Sequence, residues 1–339
     1  MPRASSPSSV LPRRVSSPRR ASRWIWLAIA IVIGAAALLM VGDVRERGAR
    51  LADFGWWAFG LALVLAFGNY AIRFLRWQLY LRIQGVEVPA RSSVLVFGAG
   101  MSLSITPGKV GELVKSYLLR ELHGIPATRT APIVVAERVT DLIAMLALAV
   151  VGVALYGIET TVVIVAAGVI AFGLVLLAWP RPTRWLIHLV TSPRAVRRFR
   201  DPVLEVYSGL ATLCRPKLLA LSTAIALPAW GLECIGFAII VNAFPGAHVD
   251  LGMATFIYAA TTIAGALSFL PGGLGVTEGA MTILLVRGSA SLDHATALDA
   301  TLLTRLATLW FAVALGLVCL AIARGKIRRM IARRAVSES

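Results

Sequence analysis

The chain carries more long apolar runs than the core of a water-soluble domain can hide. Trp24–Val41, Phe54–Ile72, Ile133–Gly157, Thr161–Trp179, Leu218–Phe244 and Ala295–Ala323 are each long and poor in charge. A helix of about 20 mostly apolar residues crosses the hydrocarbon core of a bilayer. Lipid offers the backbone no hydrogen bonds, so such segments must be helices. The composition agrees, with 58% hydrophobic residues, 15% charged residues and a mean hydropathy of +0.78. The reading is an all-α polytopic membrane protein, and soluble enzyme folds are set aside.

Two further apolar segments are interrupted in a similar way. "LSITPGKVGELVKSYLL" spans Leu103–Leu119 and "LSFLPGGLGVTEGAMTILL" spans Leu267–Leu285. Each opens Leu-Ser, reaches Pro-Gly four residues later and then places a glutamate. Val94–Thr106 is too short to span and ends at Pro107, because proline disfavours helix in the residue before it. Lys109–Leu122 then reads as an amphipathic helix. Leu251–Leu270 is apolar up to Pro271, and Gly275–Val286 is too short to cross at about 1.5 Å per residue. The expectation is about six full spans plus two broken or re-entrant segments, eight helical hydrophobic segments in all. If both broken segments instead cross as helix pairs, the parity is unchanged.

The net charge of +17 orients the chain. In a soluble protein it would point to nucleic acid, but here the basic residues sit between or beyond the apolar runs. They read as orientation signals and contacts with anionic lipid, with no nucleic-acid partner. Residues 1–23 hold six arginines and no acid and read as a disordered basic tail. The region from Arg73 to Arg91, the 180–217 connection with eight basic and two acidic residues, and the 324–339 tail are basic as well. The loops near Glu159 and Pro245–Asp250 have almost no positive charge. The positive-inside rule puts both termini in the cytoplasm of a multi-pass protein of the inner or plasma membrane. A membrane domain would then cover residues 24–323.

The parity of this arrangement implies an inverted repeat. One unit runs over about 54–157, the other over about 218–323. The first broken segment opens from the cytoplasm and the second from outside. The two Pro-Gly steps lie 164 residues apart, and Arg138 and Arg305 lie 167 apart, each after its break. Paired interrupted segments of opposite orientation point to a transport-type site near the membrane midplane.

An ionisable group at membrane depth is costly and needs a partner or water, so each marks a candidate site. Lys109, Glu112 and Lys115 lie three apart and share a broad face. The helix start after Pro107 suits an anion such as a phosphate headgroup. The alternative is an interfacial helix with solvated charges. Glu137, Arg138 and Asp141 form either an interfacial cap or the wall of a polar cavity. Glu278 and Arg305 read as a pair. Glu233, beside Trp230, is either proton-linked or hydrogen-bonded. Asn69 and Tyr70, just before Arg73, read as ordinary polar packing, with reach into the same cavity as the alternative. The helix-breaking set is Pro107, Gly108, Gly111, Pro271, Gly272, Gly273 and Gly275. No nucleotide cradle, nucleophile elbow or histidine-rich metal run is visible. Cys214, Cys234 and Cys319 stand far apart. No cofactor, metal or catalytic residue is expected.

The motifs "NYAIRFLRWQLYLRIQG", "PGKVGELVKSYLL", "AERVTDLIAML" and "FLPGGLGVTEGAMTILL", in this order, resemble the lysylphosphatidylglycerol synthase transmembrane-domain family of flippase-like membrane proteins. The resemblance covers roughly Phe54 to Ala323. It implies an integral membrane protein with a lipid-translocating role. By motif match it assigns a translocation-core role to Pro107, Gly108, Gly111, Glu112, Glu137, Arg138, Asp141, Pro271, Gly272, Gly273, Gly275 and Glu278. In the full synthases a soluble domain transfers lysine to phosphatidylglycerol. Only a short basic tail follows Ala323 here, so that transfer activity is not expected. The leading expectation is a lipid flippase with anionic-headgroup partners, Lys109, Arg138 and Arg305 touching phosphate. The alternative is a membrane-embedded enzyme, or an accessory subunit of a lipid-modifying enzyme, acting on polyprenyl-phosphate or aminoacylated substrates.

Overall fold

The computed structural model describes residues 44–156, 160–193 and 196–337, and every regular element among them is helical. The expected tail 1–23 and the apolar run Trp24–Val41 lie outside the described residues. Two units are distinguished, Met1–Ala52 and Asp53–Ser339. Of the first, one helix is described, α1 at Val44–Ala52. All that follows concerns the second.

One order of elements occurs twice in it. A long helix, α2 (Trp56–Ile83), leads to a short one, α3 (Ala90–Met101). A 3-10 turn at Pro107–Leu113 follows, then α4 (Val114–His123) and a long α5 (Ala127–Tyr156). Three helices intervene: α6 (Thr160–Ala178), α7 (Pro180–Val190) and α8 (Arg200–Leu213). The order then recurs as α9 (Pro216–Asn242), α10 (Leu251–Leu267), a 3-10 turn at Pro271–Gly273 and α11 (Val276–Gly288). It ends in α12 (His294–Arg305), a π-helical turn at Leu306–Trp310 and α13 (Phe311–Ser337). Trp56–Ile83, Pro216–Asn242 and His294–Met330 are long and apolar enough to cross a membrane. Large apolar side chains such as Trp57, Phe67, Leu75, Phe172 and Val318 are exposed, an exterior suited to lipid rather than water.

Helices α2 and α9 form the centre of the unit, and they run antiparallel. Gly55 donates its N–H to the Ala243 carbonyl at 3.1 Å, Ala62 faces Gly236, Gly68 faces Leu232, and Asn69 Nδ2 donates to the Ala229 carbonyl at 2.8 Å. As one number rises the other falls. Small residues at the seam let the backbones approach, which is how apolar helices associate where hydrophobic burial gives no drive. Around this pair the packing is reciprocal. The short α3 packs on α13 and the short α10 packs on α5, while the two broken turns touch each other.

Several local expectations differ from what forms. The Lys109–Leu122 segment does not begin as an α-helix. Gly108 and Lys109 sit at φ 58° and 55°, so the chain turns before α4 starts at Val114. That turn consumes its own donors. The Lys109 N–H bonds the Thr106 carbonyl at 2.8 Å and the Gly111 N–H bonds Thr106 Oγ1 at 2.7 Å, so these two of the N–H groups expected to face an anion after Pro107 are used within the turn. The 180–217 connection contains two helices, α7 and α8, because Pro180 is well placed in a first helical turn and apolar residues recur at helical spacing. Arg73 and Arg76, counted with the exposed basic residues, are buried in α2. The last span runs unbroken in helical form through Ser337, and the third apolar run starts a helix already at Ala127.

The α3–α13 crossing depends on two glycines, Gly98 and Gly316. A Cβ on Gly316 would lie 2.1 Å from the Ser102 backbone nitrogen, and one on Gly98 would lie 2.5 Å from Cys319 Sγ. Gly316→Ala is expected to lower stability by about 1–3 kcal/mol through overpacking, read as a lower unfolding temperature of the purified protein. Gly231→Ala, which meets nothing within 4 Å, serves as the control and should leave that temperature nearly unchanged.

Candidate functional site

The two Pro-Gly steps form the floor of the site. Thr106 and Leu270 are both extended (ψ 149°), as a following proline requires. Gly108 and Gly272 then take φ 58° and 62°, which costs a glycine nothing and any other residue strain. Two residues with side chains also adopt positive φ, Lys109 at 55° and Phe269 at 54°, one in each break. Strained backbone of this kind persists where the surroundings over-determine it and clusters at functional sites. The breaks meet directly. Gly272 sits against Ile105, and Gly108 sits beside the Phe269 ring.

Above this contact lies a cavity of about 300 Å³. Lys109, Arg73, Arg138, Asp141, Glu233 and Arg305 contribute its charged lining. The remaining wall is largely apolar, from residues such as Leu142, Met145, Ile263 and Leu309. Val169, Phe269 and Leu270, also in its lining, are exposed on the apolar exterior.

Beside the cavity runs a buried charge network. Asp141 Oδ1 accepts from Arg76 at 2.6 Å and from the Trp230 indole at 3.1 Å, and Asp141 Oδ2 lies 3.0 Å from Arg138. Arg138 reaches Glu112 at 3.3 Å. Glu112 also holds Lys115 at 3.2 Å, and Lys115 holds Glu137 at 2.5 Å. The stem of Lys115 lies over Gly100, where a Cβ would come within 2.5 Å, and its ammonium rests 4.9 Å from the Trp77 ring. Glu112, Lys115, Glu137 and Arg76 are each at most 2% exposed. The network ties α2, the first broken turn, α4, α5 and α9 into one unit.

The second break has its own pair. Glu278 Oε1 accepts from Arg305 Nε at 2.6 Å, Glu278 Oε2 accepts from the Gly275 N–H at 2.7 Å, and Arg305 also donates to the Gly272 carbonyl. Thus in both breaks the glutamate pairs with an arginine about one helix further on, Glu112 with Arg138 and Glu278 with Arg305. Gly273 packs on Gly265, and Gly111 packs on Leu103 and Thr106. Glu233 is not alone, because Tyr258 donates its hydroxyl to it at 2.5 Å. Asn69 packs as expected, whereas Tyr70 lines the cavity and donates to the Thr308 carbonyl at 2.6 Å, within the π-helical turn.

The structure therefore splits the expected face of Lys109, Glu112 and Lys115. Lys109 turns to the cavity, while Glu112 and Lys115 turn into the network. Arg73, Arg76, Trp230 and Tyr258 belong to the site and were not singled out from the sequence. A signal existed for the arginines. Asn69, Arg73, Arg76 and Tyr80 recur at helical spacing in an otherwise apolar span, which marks an inward polar stripe. No group of three or more His, Cys, Asp or Glu placed to hold a metal ion occurs among the described residues.

Comparison with known families covers the stretch that contains these residues. The profile of the lysylphosphatidylglycerol synthase TM region matches residues 25–316, a stretch that holds both breaks, the network and the cavity. The chain belongs to that family. It is a membrane-spanning protein, as the resemblance of its motifs implied. Two relatives from Methanothermobacter thermautotrophicus, both called UPF0104 membrane proteins, are similar over most of their length. One is 28% identical over 326 residues, covering 86% of this chain and 94% of the relative. The other is 24% identical over 315 residues, covering 87% and 92%. This family setting is consistent with a lipid-related function in the membrane.

The network predicts its own cost of disruption. Asp141→Ala strands Arg76 and Arg138 in a buried place, and removing one partner of a buried ion pair costs about 3–5 kcal/mol. The purified variant should unfold at a clearly lower temperature than the wild type. Glu121→Ala, which removes the exposed contact with Arg120 at 3.8 Å, should not measurably shift it.

Proposed function

We propose that this protein is a lipid translocase of the flippase type, moving a phospholipid or another lipid-linked headgroup between leaflets without chemical conversion. The observation that carries the reading is the meeting of the two Pro-Gly breaks at a cavity with charged and apolar walls. A polar headgroup needs a path that hides it from hydrocarbon, and acyl chains need none. Irregular backbone at membrane depth is tolerated where it lines a protein cavity. Broken helices facing one site near the midplane are the arrangement by which many transporters alternate access.

An inverted repeat of about 54–157 and 218–323 underlies the site in this reading. The antiparallel α2 and α9, the reciprocal packing of α3 on α13 and α10 on α5, and the pairs Glu112–Arg138 and Glu278–Arg305 support it. Six full spans and two broken segments, with both termini cytoplasmic, complete the proposal. The first break then faces the cytoplasm and the second the outside. The Glu278–Arg305 pair anchors the outer gate by tying α12 to the Gly272 carbonyl.

Two measurements test the proposal. Liposomes holding the purified chain should exchange a headgroup-labelled phospholipid between leaflets, and Glu278→Ala should slow that exchange at least about tenfold, as expected for loss of a buried charge-assisted bond. Absence of exchange by the wild-type protein, or conversion of the lipid to a new species, overturns the translocase reading. Single cysteines at Lys109 and Gly275 should react with impermeant reagents from opposite sides of the membrane. Reaction of both from one side overturns the inverted repeat. Of the native thiols, Cys214 gives little background at neutral pH, since burial pushes it up to about 11.

A further inference from the structure

Six cations gather in and around the cavity, and four of them meet a carboxylate oxygen within 3.3 Å. Arg76 meets Asp141 at 2.6 Å, Arg138 lies between Asp141 and Glu112 at 3.0 and 3.3 Å, Lys115 holds Glu137 and Glu112, and Arg305 holds Glu278 at 2.6 Å. Arg73 and Lys109 are different. Arg73 is 8% exposed, its Nε has no hydrogen-bond partner, and its nearest carboxylate oxygen, on Glu112, is 4.0 Å away. Lys109 makes no ion pair among the described residues. Both line the cavity, and both rest on one aromatic ring. Arg73 Cζ lies 5.7 Å and Lys109 Nζ 5.5 Å from the centroid of the Trp230 indole.

The acids that share the cavity carry the opposite message. Glu233 is engaged by Tyr258, and Asp141 by Arg76, Arg138 and Trp230. Six cations (Arg73, Arg76, Lys109, Lys115, Arg138 and Arg305) face five carboxylates (Glu112, Glu137, Asp141, Glu233 and Glu278), so the surplus around the cavity is positive and an anion would offset it. A cation–π contact compensates a buried charge in part while leaving its N–H donors free. Trp230 is held in place by its bond to Asp141 at 3.1 Å, so the ring is a fixed rest for both side chains. A guanidinium offers parallel donors that match phosphate oxygens, and an ammonium adds a mobile point charge.

We propose that Arg73 and Lys109, resting on the Trp230 indole, form the seat for the phosphate group of an amphiphile in the cavity. The wall of Leu142, Met145, Ile263 and Leu309 accommodates the first apolar part of the same molecule. This departs from the expectation that Lys109, Arg138 and Arg305 share the headgroup, because the two arginines of that set are already neutralised by carboxylates. The seat rests on reading the cavity as a headgroup path. Its chemistry, a phosphate oxyanion, is shared by a lipid phosphodiester and by free phosphate.

Binding to the purified full chain in a neutral detergent tests the seat without any transport. Three probes are compared by their effect on the unfolding temperature: dihexanoylphosphatidylglycerol, dihexanoylglycerol with the same chains and no phosphate, and inorganic phosphate. The phospholipid is expected to raise the temperature and the diacylglycerol to leave it unchanged. Arg73→Gln and Lys109→Gln should each weaken the apparent affinity about 10- to 100-fold, as for loss of a hydrogen bond to a charged group. Lys109 is half-buried on a turn, so its variant keeps the test decisive should Arg73→Gln fail to fold. Inorganic phosphate acting as well as the phospholipid, with the same loss in both variants, supports the seat and names free phosphate as its occupant. An equal response to the diacylglycerol overturns the seat, as does unchanged affinity in Lys109→Gln. Binding that obeys these rules without leaflet exchange sinks the translocase and keeps the seat. Exchange with binding indifferent to both substitutions does the reverse.

Discussion

The buried charge network around Asp141 is the constraint on which the rest of the structure depends. Seven ionisable side chains, Arg73, Arg76, Glu112, Lys115, Glu137, Arg138 and Asp141, lie within one connected patch. None could be tolerated singly among apolar helices. Together they force five elements into one geometry. Arg76 commits α2 to α5, Glu112 commits the first broken turn to α5, Lys115 commits α4, and Trp230 commits α9. Apolar contacts between helices in lipid are permissive about register, since one greasy face fits another. Ion pairs with hydrogen-bond distances are not.

That rigidity explains how the Pro-Gly breaks can exist. A turn that abandons the helical ladder leaves polar backbone at depth, and these turns satisfy part of it locally, through Thr106 in the first and Glu278 in the second. The strained Lys109 and Phe269 need firm surroundings to stay as they are. In the first break those surroundings are the network on one side and Gly111 against Leu103 on the other. In the second they are the Glu278–Arg305 pair and the close approach of Gly273 to Gly265. The two solutions differ in chemistry. The first break is braced by many charges and the second by one pair and by small residues. The cavity inherits that asymmetry, with Lys109, Arg73 and Arg138 toward one break and Arg305 toward the other.

Much of the architecture was legible in the amino-acid order. Uninterrupted apolar runs announced helices, and two copies of Leu-Ser followed by Pro-Gly and glutamate announced the breaks. The pairing of Glu278 with Arg305 was legible because Glu278 is the lone charge of its broken segment and Arg305 the lone basic residue of the apolar segment that follows. The first break was harder to read. Three charges at spacing of three imitate an amphipathic helix, and only the left-handed Gly108 and Lys109 separate Lys109 from Glu112 and Lys115. Arg73 and Arg76 were misread for a related reason. They follow an apolar run, just where basic residues mark a membrane edge, yet α2 continues without interruption to Ile83 and carries them inward.

By itself the sequence determined that this is a helical membrane protein, where its helices break and which segments bear charge. Periodicity and composition act locally, and those properties are local. Only the tertiary structure decided which charges neutralise one another and which are left over. Lys115 meets Glu137 across 22 residues, Arg76 meets Asp141 across 65 and Trp230 meets Asp141 across 89. Such partners are chosen by the antiparallel crossing of α2 and α9 and by the packing of α5 against both. Which cations lie close to a carboxylate and which, like Arg73 and Lys109, do not follows from that arrangement and from no single stretch of the chain.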